Sequence, residues 1–506
     1  MIPVLVMERH PIADKKASRT LGAALRRVGY SEPAVCRLLG EDAYSMVRAD
    51  GPIGERRVPR TRLATVVRAF FLQLPVSTRD AVHALGRSAV EALEITGLAA
   101  VGDDVVPRVR ILPVGALLVA SDDYPDDDED PPDYVAAYTP TSRVCDCLTP
   151  RRPVERALDL GTGSGVQAML AARHAGHVVA TDINPRALAY TELNAALNGF
   201  TNIECRRGSL FEPVEGESFD LITSNAPYVV SPEHRFAYRD AGLPADELSE
   251  RVVLGAANHL AEGGFATLLV SWIADDEDAP DERPFAWARA IDCDSWILPV
   301  WGSDALGHAA TWNEHLADDP ETFGDALDAW THYLARLGVR WVSEGAFLLY
   351  RRPGRRHNAR VDLVDADALD DAGSQVQRAF ASRARLSELR RTDLLDARLA
   401  VAARMRLERE VDPQRRGTAR VTGRVYLEEG TKASVEATTR ALEIVASLDG
   451  RELLGDVVQA SADRLHLSES QTSRLRRETL DVSRELLELG ALRFHNPGHT
   501  NDDAGN

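Results

Sequence analysis

The run Ala157-Leu158-Asp159-Leu160-Gly161-Thr162-Gly163-Ser164-Gly165 constrains this chain more than any other stretch of comparable length. Residues 156–159 read as a buried strand. Three glycines at alternate positions follow, making a turn where absent side chains let a ligand reach the backbone and a helix N-terminus offers free N–H groups. A strand that runs directly into a helix needs a crossover back to a parallel neighbour. The sequence supplies such neighbours at 178–182, 202–205, 219–223 and 265–270, with helical patterns from Gly165, over 185–198 and over 247–260, and a last strand at 346–350. Alternation of this kind predicts an α/β fold, a doubly wound parallel sheet with helices on both faces. Ligands of such sheets bind beyond the carboxyl ends of the strands.

Two further motifs fall at those ends. Thr181-Asp182-Ile183-Asn184 closes the second strand about twenty residues after the glycine turn, where an acidic side chain accepts hydrogen bonds from ribose hydroxyls. Ser224-Asn225-Ala226-Pro227-Tyr228 closes the strand over 219–223 with an amide, a stiff turn and an aromatic ring. An amide or exocyclic amine nitrogen is a poor nucleophile, so a site that alkylates one must hold its N–H groups and aim its lone pair. Asn225 through its side-chain oxygen and residue 226 through its backbone carbonyl are suitable acceptors, and Tyr228 offers a ring face to a planar group.

The three motifs together resemble class I S-adenosylmethionine (SAM)-dependent methyltransferases with an Asn-Pro-Pro-Tyr motif, over roughly 138–350. The longer run from Asn225 to Pro232 is most similar to the HemK-related glutamine-N5 methyltransferases of release factors. Ala226 stands where that family usually has proline. A backbone carbonyl serves in either case, with a looser turn and a slower enzyme expected of alanine. The resemblance implies SAM as cofactor, Asn225, Pro227 and Tyr228 as catalytic residues, and Ala226 as an acceptor-orienting position. It places the cofactor against Asp159, Gly161, Gly163, Gly165, Asp182, Ile183, Ser209, Leu210 and Asn225. Thr141 and Arg143 are candidates for contact with cofactor or acceptor, the other reading being that Thr141 or Ser142 caps a helix.

The expected function is SAM-dependent N-methylation of a planar amide or amine, with a protein glutamine of the translation apparatus as the leading acceptor. The same Asn and Tyr also suit an exocyclic amine of RNA or DNA. A SAM-binding, nucleic-acid-binding scaffold without catalysis is the reading of another class. The partner is therefore a macromolecular substrate, protein or RNA, and the sequence sets no oligomeric state.

The 506-residue length fits about three domains. The expected order is an N-terminal helical, winged-helix-like substrate or cap domain over 1–121, an acidic linker over 122–136 and the methyltransferase domain over 137–352. A basic linker over 353–361, a mainly helical C-terminal domain over 362–495 and a tail over 496–506 follow. In the N-terminal part, 105–119 reads as one or two strands broken at Pro107 and Pro113. Helix, turn, helix and a short strand near 452–494 again suggest a winged helix, and the five tryptophans Trp296, Trp301, Trp312, Trp330 and Trp341 are read as core packing or base stacking.

A net charge of −19 argues against indiscriminate attraction to nucleic acid. Lysine occurs only at 15, 16 and 432, so the many arginines reflect codon bias more than phosphate recognition. Five dispersed cysteines suit reduced thiols in a cytoplasmic setting, and Cys145-x-Cys147 lacks the second pair that a zinc site needs, so no metal is expected. The apolar start, Met1 to Met7, is too short and wrongly flanked for a signal peptide, and no run has the ~18 apolar residues of a membrane helix.

Overall fold

The computed structural model describes residues 11–46, 50–123, 131–225, 227–233, 243–276, 278–354, 357–409 and 422–495. The chain divides into two compact units, one of residues 1–145, 152–292 and 301–351, the other of 146–151, 293–300 and 352–506.

In the first unit the alternation of strands and helices is realised. In chain order come α1 (Pro140–Leu148), of which residues 140–145 belong to this unit, β1 (Val154–Leu160), α2 (Val166–Ala172), β2 (Ala175–Asp182), α3 (Pro185–Asn198), β3 (Ile203–Arg207) and β4 (Phe219–Ser224). Then follow α4 (Glu247–His259), β5 (Leu260–Ala274), α5 (Ala305–Trp312), α6 (Pro320–Arg336) and β6 (Trp341–Tyr350). Six strands lie in the order β6-β5-β4-β1-β2-β3. They are parallel except β6, which runs antiparallel to β5 from Phe265 opposite Tyr350 to Ala274 opposite Trp341. Strand runs such as Ala157-Leu158, Val178-Val179-Ala180 and Leu221-Ile222 are buried, as a sheet covered on both faces requires.

Register explains why three motifs far apart in sequence converge. Leu160 is opposite Thr181 on one side and Ser224 on the other, so Gly161, Asp182 and Asn225 each lie one residue beyond the same row of the sheet. The chain builds outward from β1 to β2 and β3, then returns to β4 on the other side of β1. That reversal opens a crevice between the carboxyl ends of β1 and β4.

The N-terminal region shares this unit. Asp14 caps the helix Lys15–Arg27 by accepting from the Ala17 N–H at 2.7 Å, and Leu21, Ala24 and Leu25 form its buried stripe. A helix over Arg62–Val66 continues as a π-turn over Val67–Phe71, and helices Thr78–Leu85 and Arg87–Ile95 are framed by strands Val76–Ser77, Ala99–Val101 and Asp104–Pro107 in one small antiparallel sheet. Where one or two strands broken at prolines were expected, the chain has three: Pro107 ends one, while Pro113 lies inside the hairpin of Arg110–Val114 with Leu117–Ser121. Proline is tolerated there because the hairpin has only two strands, and its missing N–H belongs to an edge.

The other edge of that hairpin is closed by side chains. Asn194 of α3 accepts from the Ala120 N–H and donates to its carbonyl, both at 2.8 Å. One turn later Asn198 accepts from the Leu118 N–H at 2.9 Å and donates to its carbonyl at 2.7 Å. Two helix amides thus take the place of a neighbouring strand.

The two ends of the expected acidic linker are packed. The buried Asp122 carboxylate accepts from the Val135 N–H at 2.7 Å, from the Tyr190 hydroxyl at 2.7 Å and from both terminal nitrogens of Arg186. A charge so satisfied is more stable inside than its sequence context suggests. Residues 124–130 lie outside the described residues, as do Arg355 and Arg356 of the basic stretch.

Beside its helices the second unit holds two three-stranded antiparallel sheets: Asp449–Leu453, Arg398–Val401 and Leu492–Phe494 in one, Met405–Arg409, Thr422–Leu427 and Ser434–Thr438 in the other. Helices Gly373–Leu386, Thr439–Ala446, Leu454–Arg464 and Glu469–Glu488 accompany them. The strands have three to six residues and many are Arg or Glu, too short and too polar to show alternation in sequence. They stand on cross-strand pairing, as where Arg424 lies opposite Glu436 at 3.3 Å.

Candidate active site

A cavity of about 630 Å³ occupies the crevice at the ends of β1, β2 and β4. Asp159, Gly161, Gly163, Asp182, Ile183, Ser209, Leu210, Asn225, Pro227, Tyr228 and Thr141 all line it. Gly165 does not, and Ala226 lies outside the described residues. A Cβ on Gly165 would fall 2.9 Å from the Thr191 side chain, so this glycine serves the close packing of α2 on α3. At Gly163, with φ +56°, a Cβ would meet no protein atom within 4 Å. Its missing side chain keeps cavity space open.

Asp159 holds the turn in shape. One carboxylate oxygen accepts from Thr223 Oγ1 at 3.0 Å, the other from Thr162 Oγ1 at 2.7 Å and the Ala168 N–H at 3.0 Å. Burial pushes its carboxyl up to about 6, against the pull of these hydrogen bonds and with the charge of Asp182 adding to the rise. Helix α3 braces the same turn, Thr191 Oγ1 donating to the Gly163 carbonyl at 3.0 Å and Asn194 Nδ2 to the Ser164 carbonyl at 2.8 Å.

Asp182 accepts from the Gly163 N–H at 3.0 Å through one oxygen and from the Asn184 N–H at 2.8 Å through the other. Burial raises its pKa, while those backbone donors lower it. Each oxygen retains a second acceptor site, an arrangement that matches a vicinal diol. The cap of α3 is Asn184, whose side chain accepts from the Arg186 N–H at 2.9 Å, so Asp182 is not needed for that task. Ile183 beside it is 60% exposed, an apolar surface at the cavity. Leu210 has φ +47°, a left-handed backbone that a leucine rarely adopts, at the same rim.

Asn225 is oriented by hydroxyls from α1. Its Nδ2 donates to Thr141 Oγ1 and to Ser142 Oγ, each at 3.2 Å, which leaves Oδ1 as the acceptor of this cavity-lining residue. Thr139, not Thr141 or Ser142, caps α1, accepting from the Ser142 N–H at 3.1 Å. Gln167 adds a further tie through Nε2 to the Ser142 carbonyl at 2.9 Å. Thr139, Ser142 and Gln167 were missed as site residues, though a Thr-Pro start to a helix is a recognisable sign of capping.

Tyr228 is buried, its carbonyl accepting from the Ser271 hydroxyl. Burial, then the nearby Glu344 carboxylate, hold its phenol well above the usual pKa, so the ring stays neutral. Among the tryptophans, Trp296 and Trp330 are core residues, whereas Trp312 lines the cavity beside Tyr228, Val229 and Leu248. No group of three or more potential metal ligands is found among the described residues.

Comparison with known proteins gives this geometry a setting. The profile of a family described as "Methyltransferase domain" matches residues 152–258, and that of a domain of unknown function (DUF7059) matches 27–111. A release factor glutamine methyltransferase of Xylella fastidiosa is 35% identical over 129 residues, covering 23% of this chain and 47% of the relative. A ribosomal protein uL3 glutamine methyltransferase of Bradyrhizobium diazoefficiens is 32% identical over 165 residues, covering 30% of this chain and 52% of the relative. A putative protein N5-glutamine methyltransferase of Methanocaldococcus jannaschii is 33% identical over 129 residues, covering 24% of this chain and 64% of the relative. The chain thus spans about half the length of the first two relatives. Its central domain is a methyltransferase domain of the class I fold, similar over that span to the HemK-related glutamine methyltransferases.

Proposed function

We propose that this chain is a SAM-dependent N-methyltransferase whose acceptor is a glutamine side chain of a protein of the translation apparatus. The observation that carries the reading is the orientation of Asn225, whose Nδ2 is held by Thr141 and Ser142. A glutamine amide offers N–H groups, and Oδ1 of Asn225 is what remains to receive one. Residue 226 is proposed to receive the second through its carbonyl, with the ring of Tyr228 alongside the amide plane.

The cavity fits the cofactor. Asp182 matches the ribose hydroxyls, Ile183 and Leu210 offer apolar surface for a base, and open space over Gly163 admits the ligand to the backbone. SAM supplies an electrophilic methyl group. The chain's contribution is to bind, to exclude water and to hold the acceptor in line, and positioning of that kind is worth ~7–11 kcal/mol in favourable cases.

An RNA acceptor draws less support, since a net charge of −19 opposes attraction to phosphate. No helix among the described residues is long and apolar enough to cross a membrane, and action in the cytoplasm follows from the proposed substrate. Full-length protein incubated with radiolabelled methyl-SAM and with recombinant release factors or uL3 from the cognate genome tests the proposal. Label in glutamine supports it; label only in RNA sinks it.

Two outcomes are expected of the cofactor side. Asp182→Ala should weaken SAM binding by about tenfold to a hundredfold, the equivalent of about 1.5–3 kcal/mol for lost charge-assisted hydrogen bonds. Calorimetry that finds wild-type affinity removes Asp182 from the cofactor site. Gly163→Val should abolish binding, because the new side chain enters the cavity and φ +56° is unfavourable for a β-branched residue. The check is SAM titration of a variant with an unchanged circular-dichroism spectrum, where normal affinity would make the turn merely structural.

A further inference from the structure

We propose that Trp312 selects the residues flanking the acceptor glutamine, and that Glu344 and His308 are positioning residues that act through it. The inference rests on the glutamine reading above and deepens it. Besides Asn225 and the hydroxyls of Thr141 and Ser142, the cavity lining includes Tyr228, Val229, Leu248 and Trp312, all apolar or aromatic. Trp312 ends α5, between β5 and β6, outside residues 152–258, the span matched by the methyltransferase profile.

The indole is anchored. Trp312 Nε1 donates to Glu344 Oε1 at 3.0 Å, and His308 Nδ1 lies 3.6 Å from the same oxygen. The other ring nitrogen, Nε2, is 3.0 Å from the Val230 carbonyl, on the loop that continues from Asn225 and Tyr228. Val229 packs with Ala309 and Trp330 in one apolar cluster, against which Trp312 rests. The acceptor loop and the tryptophan are thereby locked to a common frame. Because its one polar atom is bound to Glu344, Trp312 presents carbon alone to the cavity. A surface of that kind accepts small apolar neighbours of the glutamine and rejects charged ones, whose desolvation it cannot repay.

The test uses the full-length chain with labelled methyl-SAM, a release factor, and two synthetic peptides in which glutamine is flanked by alanines or by aspartates. The wild type should prefer the alanine-flanked peptide by about tenfold or more in kcat/KM. Trp312→Ala should raise KM for the release factor and that peptide about tenfold, with kcat within about threefold and SAM affinity unchanged. Glu344→Ala should reproduce this split, and Glu344→Gln, which keeps an oxygen for the indole N–H, should restore near-wild-type KM. An unchanged KM in Trp312→Ala, a joint fall of kcat and SAM affinity, or a Glu344→Gln variant no better than Glu344→Ala overturns the inference. A wild type that labels RNA and no protein defeats the glutamine reading instead; KM for RNA in Trp312→Ala then decides whether the wall stands. A wild type that labels nothing overturns both.

Discussion

Asn225→Ala should lose methyl transfer by at least about a hundredfold to a thousandfold in single-turnover rate while binding SAM as the wild type does. Removing the carboxamide takes away the proposed acceptor of the target's N–H, and loss of one oriented hydrogen-bonding group in a reaction site costs about 2.7–4 kcal/mol. Its Nδ2 bonds to Thr141 and Ser142 are also lost, but those hydroxyls keep the Thr139 oxygen as a partner at 2.9 Å each. The fold is therefore expected to survive. Asn225→Asp should fail similarly, since an anion changes both the orientation and the electrostatics of the acceptor. A rate within about tenfold of wild type for Asn225→Ala falsifies the central assignment, because positioning of this magnitude would then come from elsewhere.

The second large effect is on stability. Glu344 is pushed from the ordinary glutamate value of 4.5 up to about 7 by burial, with the Trp312 hydrogen bond pulling the other way. An acid whose pKa is raised by folding binds its proton more tightly in the native state, so its ionisation disfavours the fold. Stability is untouched by this group below about 4.5, falls as pH rises from there to about 7, and stays reduced above. Glu344→Gln cannot ionise and keeps the indole's acceptor. It should match the wild type at pH 4 and exceed it by up to about 3 kcal/mol at pH 8. His308, whose Nδ1 lies 3.6 Å from the same oxygen, is neutral over most of this range because burial lowers it to about 4. Denaturant titrations at the two pH values measure it. Equal stabilities at pH 8 would mean that Glu344 ionises without cost.

Legibility of this chain in its sequence followed burial and repetition. Strands such as Val178-Val179-Ala180 and Leu221-Ile222 are short apolar runs next to glycine, proline or acidic punctuation, and helix Pro185–Asn198 carries its own cap and a left-handed stop at Gly199. Local chemistry sufficed there. Of the candidate site residues, Asp182 and Asn225 sit just past strand ends and line the cavity, positions that strand-end motifs mark in the sequence. What stayed hidden depends on distant partners: Ser142 meets Asn225 from 83 residues away, and Glu344 meets Trp312 across 32 positions. Gly165, a residue of the glycine motif, is also required by packing against Thr191, a contact its sequence neighbours do not reveal. The polar five-residue strands of the second unit gave no period long enough to register.

The two asparagines that close the edge of Leu117–Ser121 also set an order of events during synthesis. The hairpin leaves the ribosome with one flank of N–H and C=O groups open, and the amide that covers Leu118 is made 80 residues later. At typical translation speeds that is an interval of roughly 4–16 s, during which the nascent chain carries an exposed edge able to pair with another. Only when α3 emerges is the N-terminal region shut. An expression fragment ending before Asn194 should consequently be trapped by chaperones or self-associate, and the full-length chain should not.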